Sequence, residues 1–129
     1  MSNKSAVILF GHGARDPAWA RPLERIAEKA AQQERTLLVR LAFLEFLAPS
    51  LPQAIDELAG AGVARIAVVP VFMSQSGHVA RDVPAMLEAA RHRHPSLCLS
   101  LAAPVGEADP VLSAMAAYAV AAVATGDTT

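Results

Sequence analysis

The sequence predicts an α/β fold: a flavodoxin-like, four-stranded parallel sheet in the order 2-1-3-4, with helices on both faces. Three observations predict it. Apolar runs rich in β-branched residues recur four times, segments at helical spacing alternate with them, and the connections between are short. Strands that read as continuous apolar runs belong in a parallel sheet covered on both sides. Right-handed crossovers leave few ways to wind such units, and the 2-1-3-4 order is the most economical, with its switch point between strands 1 and 3.

Each element has its own signal. Val7 to Phe10 form a buried strand that ends at Gly11. Asp16-Pro17 supplies an N-cap and a first-turn proline, and Trp19, Leu23, Ile26, Ala27 and Ala30 follow at helical spacing. "TLLVRLAF" is the second strand, ending near Glu45, with Arg40 tolerated because the strand lies at the sheet edge. "APSLPQAIDELAGAG" opens with prolines, repeats Leu51, Ile55 and Leu58 on one face, and stops at Gly60 and Gly62. "RIAVVPVF" is the third strand, and a helix from about Val83 to Arg93 turns Met86, Leu87 and Ala90 inward. "LCLSLA" is the fourth strand, and Pro110 begins a last helix reaching about Ala124. That last helix is apolar around more than one face, which suits either the core or a dimer interface.

The chain has 129 residues, 53% hydrophobic and 18% charged, with a formal net charge of -1. One domain over residues 1–124 is expected, with 125–129 as a frayed tail. The composition excludes a disordered chain and gives no electrostatic basis for binding nucleic acid. Cys98, the single cysteine, is expected to be a buried thiol. The N-terminus reaches Gly-His after five apolar residues and does not read as a signal peptide. The Ala-rich C-terminal stretch falls short of the roughly 20 residues of a membrane span. A cytoplasmic domain without membrane contact is the expectation.

"FGHGARDP" and "SGHVARDVP" place a histidine twice in nearly the same local frame. Ligands of such folds bind outside the carboxyl ends of the strands at the switch point. His12 follows strand 1, His78 lies in the loop after strand 3, and Glu45 closes strand 2, so three chain-distant residues converge on one rim. Two neutral imidazoles suit a divalent metal such as cobalt, nickel, iron or zinc. A closed structural zinc site normally has four ligands, often cysteines, and this rim offers no cysteine; an open site suits an ion that is handed on. Arg15 and Arg81, each followed by Asp and a helix start, favour an anionic ligand at the same rim. Gly11 and Gly77 permit close backbone approach.

The plainer readings are loop histidines satisfied by backbone, Glu45 as a solvated strand end, and each arginine paired with its neighbouring aspartate. His92 and His94 read as cations at a helix C-terminus. Trp19, Phe72 and Met73 read as core or pocket wall.

"GHGARDP", "AFLEFLAPSLPQAI", "IAVVPVF" and "SGHVARDVP", in that order, resemble the small sirohydrochlorin chelatases of the CbiX type, among the class II chelatases of cobalamin and siroheme synthesis. The resemblance runs from about Ala6 to Ala103. It implies the flavodoxin-like chelatase fold, His12 and His78 as metal carriers, and Glu45 across the cleft as acid/base or auxiliary ligand. It also implies a carboxylate-rich tetrapyrrole, sirohydrochlorin, as substrate, an anionic ligand of the kind that the positions of Arg15 and Arg81 favour. Cobalt(II), with nickel(II) or iron(II) as alternatives, is then a substrate and no cofactor is permanently bound. Longer relatives carry two such domains in one chain, so a homodimer is implied. Ala14 stands where the family often has Ser, and Ser76 where Gly is frequent. Two rival functions remain: a non-catalytic metal or tetrapyrrole carrier, and a phosphoryl-transfer enzyme with His12 as nucleophile. The second normally places an arginine directly before the histidine, where Phe10-Gly11 stands here.

Overall fold

Four strands pair in parallel in the order β2-β1-β3-β4, as the sequence predicts. β1 spans Ser5–Gly11, β2 Leu38–Phe43, β3 Arg65–Pro70 and β4 Cys98–Leu101. The computed structural model describes residues 4–74 and 77–126, with the side chain of His78 outside that description. Ser76 and the tail from residue 127 therefore lie outside the described residues. Ile8 of β1 stands opposite Arg40 of β2 and Val68 of β3, and Ile66 opposite Leu99 of β4.

Alternation along these strands sorts the side chains onto two faces. Ala6, Ile8, Phe10, Ile66, Val68 and Leu99 face α2 (Leu51–Gly60) and α3 (Gly77–Arg93), where Ile55, Leu58, Val83 and Leu87 complete the main core. Ile8, Ile55, Ile66 and Leu87 are almost fully buried, each contributing about 1.5–3 kcal/mol by removal from water. On the other face Leu9 and Phe43 pack with Leu23 of α1 (Arg21–Gln33).

The local chemistry explains where α2 begins and ends. Ser50 accepts a hydrogen bond from the Gln53 N–H at 3.3 Å, and the Gln53 side chain accepts one from the Ser50 N–H at 2.9 Å. This reciprocal cap satisfies two donors that a helix start leaves open. Gly62, with φ of +87°, turns the chain toward β3.

Several expectations are corrected. Asp16 caps a 3-10 turn, Pro17–Ala20, and the α-helix starts only at Arg21. Trp19 consequently leaves the apolar helical face and is 75% exposed. The third strand ends at Pro70, leaving Phe72 buried in the following loop. α3 begins at Gly77, six residues before Val83, and holds Pro84 inside it. Proline withholds one N–H and disfavours a helix interior, so "DVP" reads as a start although the helix passes through it. Cys98 is exposed, because β4 is an edge strand and its residue faces away from α2 and α3. The last helix, α4, spans Asp109–Thr125 and buries no residue, so it does not serve this chain's core. Thr125 belongs to that helix, and Gly126 caps it in the left-handed conformation. No described helix is long and apolar enough to cross a membrane.

Candidate functional site

β1 and β3 are neighbours, and the connections after their carboxyl ends form the rim where the order reverses. His12 follows the last residue of β1 and is exposed. Its ring lies 4.0 Å, centroid to centroid, from the ring of Phe72, with the planes tilted by 30°. Phe72 is 3% exposed and packs in turn on Phe10 at 5.5 Å. The imidazole is thus propped on the core at one side and open at the other.

The β2 rim is tied to this point by backbone. The Leu44 N–H donates to the Gly11 carbonyl at 2.9 Å, and the Glu45 N–H to the His12 carbonyl at 3.1 Å. These bonds continue the parallel ladder beyond the strands and bring Glu45 beside His12, as the sequence predicts for this pair. Gly13, at φ +84°, makes the approach possible, since a Cβ there would overlap the Glu45 carbonyl oxygen. Only glycine tolerates both that conformation and that proximity. The Glu45 side chain is exposed.

A cavity of about 250 Å³ opens at this rim, lined among others by Gly11, His12, Gly13, Trp19, Leu23 and Val71. A groove of about 390 Å³ toward the β2 edge shares Phe43 and Leu47 with it and carries Arg40 and Glu57. Trp19 is therefore pocket wall, in agreement with one of the two sequence readings.

Of the arginines, Arg15 lies over the ring of Phe46, its guanidinium carbon 4.9 Å from the centroid. Asp16 beside it turns to the Ala18 N–H instead. Arg81 does not precede a helix start, contrary to expectation. It is exposed at the beginning of the second turn of α3, because that helix starts at Gly77. His78 is the second residue of α3, not a loop residue, and its side chain lies outside the described residues. Gly77 opens the helix with φ of +49°. Among the described residues no three His, Cys, Asp or Glu side chains gather around a common point.

Two contributors escape sequence reasoning. Phe46 has a left-handed backbone, φ +70°, and is 57% exposed; an aromatic in that conformation has no sequence signal. Gly106 packs so closely on Met73 that a Cβ would overlap the Met73 carbonyl oxygen, and its N–H donates to the Phe72 carbonyl at 3.0 Å.

The other two histidines lie in the last turn of α3 and just after it, at the end of the molecule where the strands start. His94 Nε2 is 2.7 Å and Arg93 3.0 Å from the Asp56 carboxylate of α2. The His94 hydrogen bond, followed by the hydrogen bond and charge of Arg93, holds the Asp56 carboxyl below the usual carboxylate range. His92 faces Glu88 at 3.5 Å. These are structural pairs, remote from the His12 rim.

Fold and rim together define a doubly wound α/β domain with an open, histidine-bearing cavity beside its switch point. The family described as CbiX matches residues 6–121, and the chain belongs to that family. The sirohydrochlorin cobaltochelatase of Methanosarcina acetivorans is 37% identical over 87 residues, 67% of either chain. The protein of that name from Methanocaldococcus jannaschii is 36% identical over 89 residues, 69% of this chain and 62% of the relative. Among solved structures, a CbiX protein of cobalamin biosynthesis from Marinobacter aquaeolei VT8 superimposes with a TM-score of 0.79 at 29% identity, covering 95% of this chain and 99% of that one. The sirohydrochlorin chelatase SirB of Bacillus subtilis subspecies spizizenii, in complex with cobalt, gives 0.73 at 26% identity, covering 86% of this chain and 47% of that one.

Proposed function

We propose that the chain is a chelatase that inserts a divalent metal, cobalt(II) foremost, into sirohydrochlorin. The observation that carries this reading is His12, open to solvent above a buried aromatic at the switch-point rim, in a chain matched by CbiX over residues 6–121. The cobaltochelatase relatives and the cobalt complex of SirB support cobalt as the ion.

In this reading His12 and His78, both neutral, hold the ion while leaving coordination positions open. The macrocycle gives up two pyrrole N–H protons as the ion enters, so one metal ion is exchanged for two protons. Glu45, tied by its backbone to His12, takes up a proton or steadies the ion. The ring carboxylates meet Arg15 and Arg81, and Gly11 and Gly77 let backbone approach the ligand. A weak two-histidine hold suits an ion that must leave for a better chelator. The working assembly in this reading is a homodimer in the cytoplasm; this chain covers 47% of SirB, a length that accommodates a second unit of the same size.

The test is a spectrophotometric assay with catalytic protein, sirohydrochlorin and excess cobalt(II). Multiple turnovers of metallated ring are expected, abolished in His12→Ala and His78→Ala proteins that retain native circular dichroism. Stoichiometric cobalt binding without metallated product would make the chain a carrier instead. Near-normal turnover of either variant would remove that histidine from the mechanism.

A further inference from the structure

The turn after β2 holds a residue in a conformation its side chain disfavours. Phe46 has φ of +70°, and the Leu47 N–H donates to the Glu45 carbonyl at 2.8 Å. A turn closed over one residue of positive φ is rare and strained, and glycine adopts that φ most freely. An aromatic stands there instead, and at 57% exposed its ring gains too little burial to offset the strain. Such outliers gather where a site needs a group presented in a fixed place.

Both neighbours of Phe46 are anchored. The Glu45 N–H is bound to the His12 carbonyl at 3.1 Å, and the Glu45 carbonyl lies against Gly13, where a Cβ would overlap it. Leu47 is half-buried and packs with Leu9, Leu23 and Phe43. The close approach at Gly13 brings the two rims together, and two residues further on Arg15 lies over the Phe46 ring. Its guanidinium carbon is 4.9 Å from the centroid, inside the reach of about 6 Å over which a cation is held by an aromatic face.

That aromatic face stands where a carboxylate would be expected. Among the described residues Arg15 enters no ion pair, and the neighbouring Asp16 accepts from the Ala18 N–H at 3.0 Å. Contact with a ring face orients a guanidinium without consuming its N–H donors, so these remain for a ligand. Ala14 and Leu47, the chain neighbours of Arg15 and Phe46, line the cavity that holds His12. The pair therefore stands at the mouth of that cavity, where a flat ring entering it presents its edge substituents.

We propose that Phe46 is a positioning residue for substrate selection: its ring fixes the Arg15 guanidinium at the cavity mouth, and Arg15 so held grips a peripheral carboxylate of the tetrapyrrole. The proposal rests on the chelatase reading above and adds the feature that selects the carboxylated ring. A long side chain free in solvent loses rotamer freedom when it binds; one already held on an aromatic face loses less. Amidation of that carboxylate leaves the held guanidinium without its charged partner, so the pair discriminates acid from amide.

Binding of sirohydrochlorin to the metal-free protein, followed by absorbance, reads the pair before any metal enters. Arg15→Ala is expected to weaken binding about tenfold, the weight of one charge-assisted hydrogen bond. Phe46→Leu is expected to weaken it about two- to fivefold, as for loss of a cation–π contact at an exposed site, whereas Phe46→Trp retains native affinity. In an Arg15→Ala background Phe46→Leu is expected to add nothing, because Phe46 acts through Arg15. With cobalt(II) present, Phe46→Leu is expected to raise KM with little change in kcat. Sirohydrochlorin with its carboxylates amidated is expected to bind the native, Arg15→Ala and Phe46→Leu proteins alike.

Native affinity in Phe46→Leu, a full loss retained in the Arg15→Ala background, or a tryptophan variant as weak as the leucine one would each overturn the positioning role. Equal losses with the amidated ring would overturn the carboxylate as the group gripped. A chain that shows the expected binding pattern and never turns over cobalt(II) fails the chelatase reading alone. Normal turnover with no difference among the variants fails the positioning role alone, and a native chain that does not bind sirohydrochlorin fails both.

Discussion

His12 and Phe72 form a stacked pair at the open end of the sheet, their centroids 4.0 Å apart. Phe72 is 3% exposed and leans on Phe10, deep in the main core. A side chain from the packed interior therefore sets the position of an exposed imidazole, and the site inherits the rigidity of the core.

Separating packing from placement calls for two substitutions at Phe72. Phe72→Ala leaves a cavity and is expected to cost about 3–5 kcal/mol, read from denaturant melts. Phe72→Leu keeps most of the volume but removes the flat support beneath His12. Its cobalt(II) affinity is expected to fall about tenfold or more, as for other groups that orient a metal-binding side chain. Titration with cobalt(II), with His12→Ala as the baseline, checks this. Unchanged affinity in Phe72→Leu would reduce the contact to core packing.

Gly13→Ala probes the tie between the β1 and β2 rims. The new Cβ meets the Glu45 carbonyl oxygen and the backbone is held at φ +84°. The left-handed conformation alone costs about 1–3 kcal/mol in a residue with a side chain, and relieving the overlap must pull Glu45 away from His12. A melting temperature lower by several degrees and a loss of turnover beyond what the lower stability explains are expected. An alanine protein with native stability and turnover would show that the two rims need not touch.

The strand order and the pairing of His12 with Glu45 were legible because they follow from apolar runs and from the rule that ligands sit at strand ends. What was not legible depends on tertiary contact. Pro84 in "DVP" carries the same local signal as Pro17 in "RDP", yet one lies inside a helix and the other opens a 3-10 turn. Cys98 sits in an apolar stretch, and its exposure follows from which face of an edge strand lacks a helix. Gly13 and Gly106 matter through the backbone of another loop, which no window of sequence contains. Phe46 takes a backbone conformation that its side chain disfavours, beneath Arg15.

At the opposite end of the molecule, Asp56 links α2 to the end of α3 through His94 and Arg93. Its folded pKa lies below the ordinary value of 3.8. A depressed carboxylate pKa means the unfolded chain binds the proton more readily. The contribution to stability is therefore present above about pH 4 and is lost as pH falls through the folded value. The Asp56 side chain is 48% exposed, so solvent screens the pair and the gain is about 0.2–1 kcal/mol. Asp56→Asn is expected to melt slightly earlier than the native protein at pH 6, with the gap closing in acid. A gap that persists unchanged at the acid end would mean that the carboxylate charge is not its source.

Trp19, the single tryptophan, lines the cavity that holds His12 and is 75% exposed. A cavity of about 250 Å³ admits an edge of a tetrapyrrole and leaves the rest of the ring over the rim, where an exposed indole offers a flat apolar surface. Tryptophan emission is expected to fall on titration with sirohydrochlorin and to saturate at one ring per site. Trp19→Ala is expected to raise KM with little change in kcat, the signature of contacts made equally in the bound ground state and the transition state. Emission that stays constant while metallation proceeds at a normal rate would put the ring on another surface, with the β2-edge groove of Arg40 and Glu57 as the place to probe next.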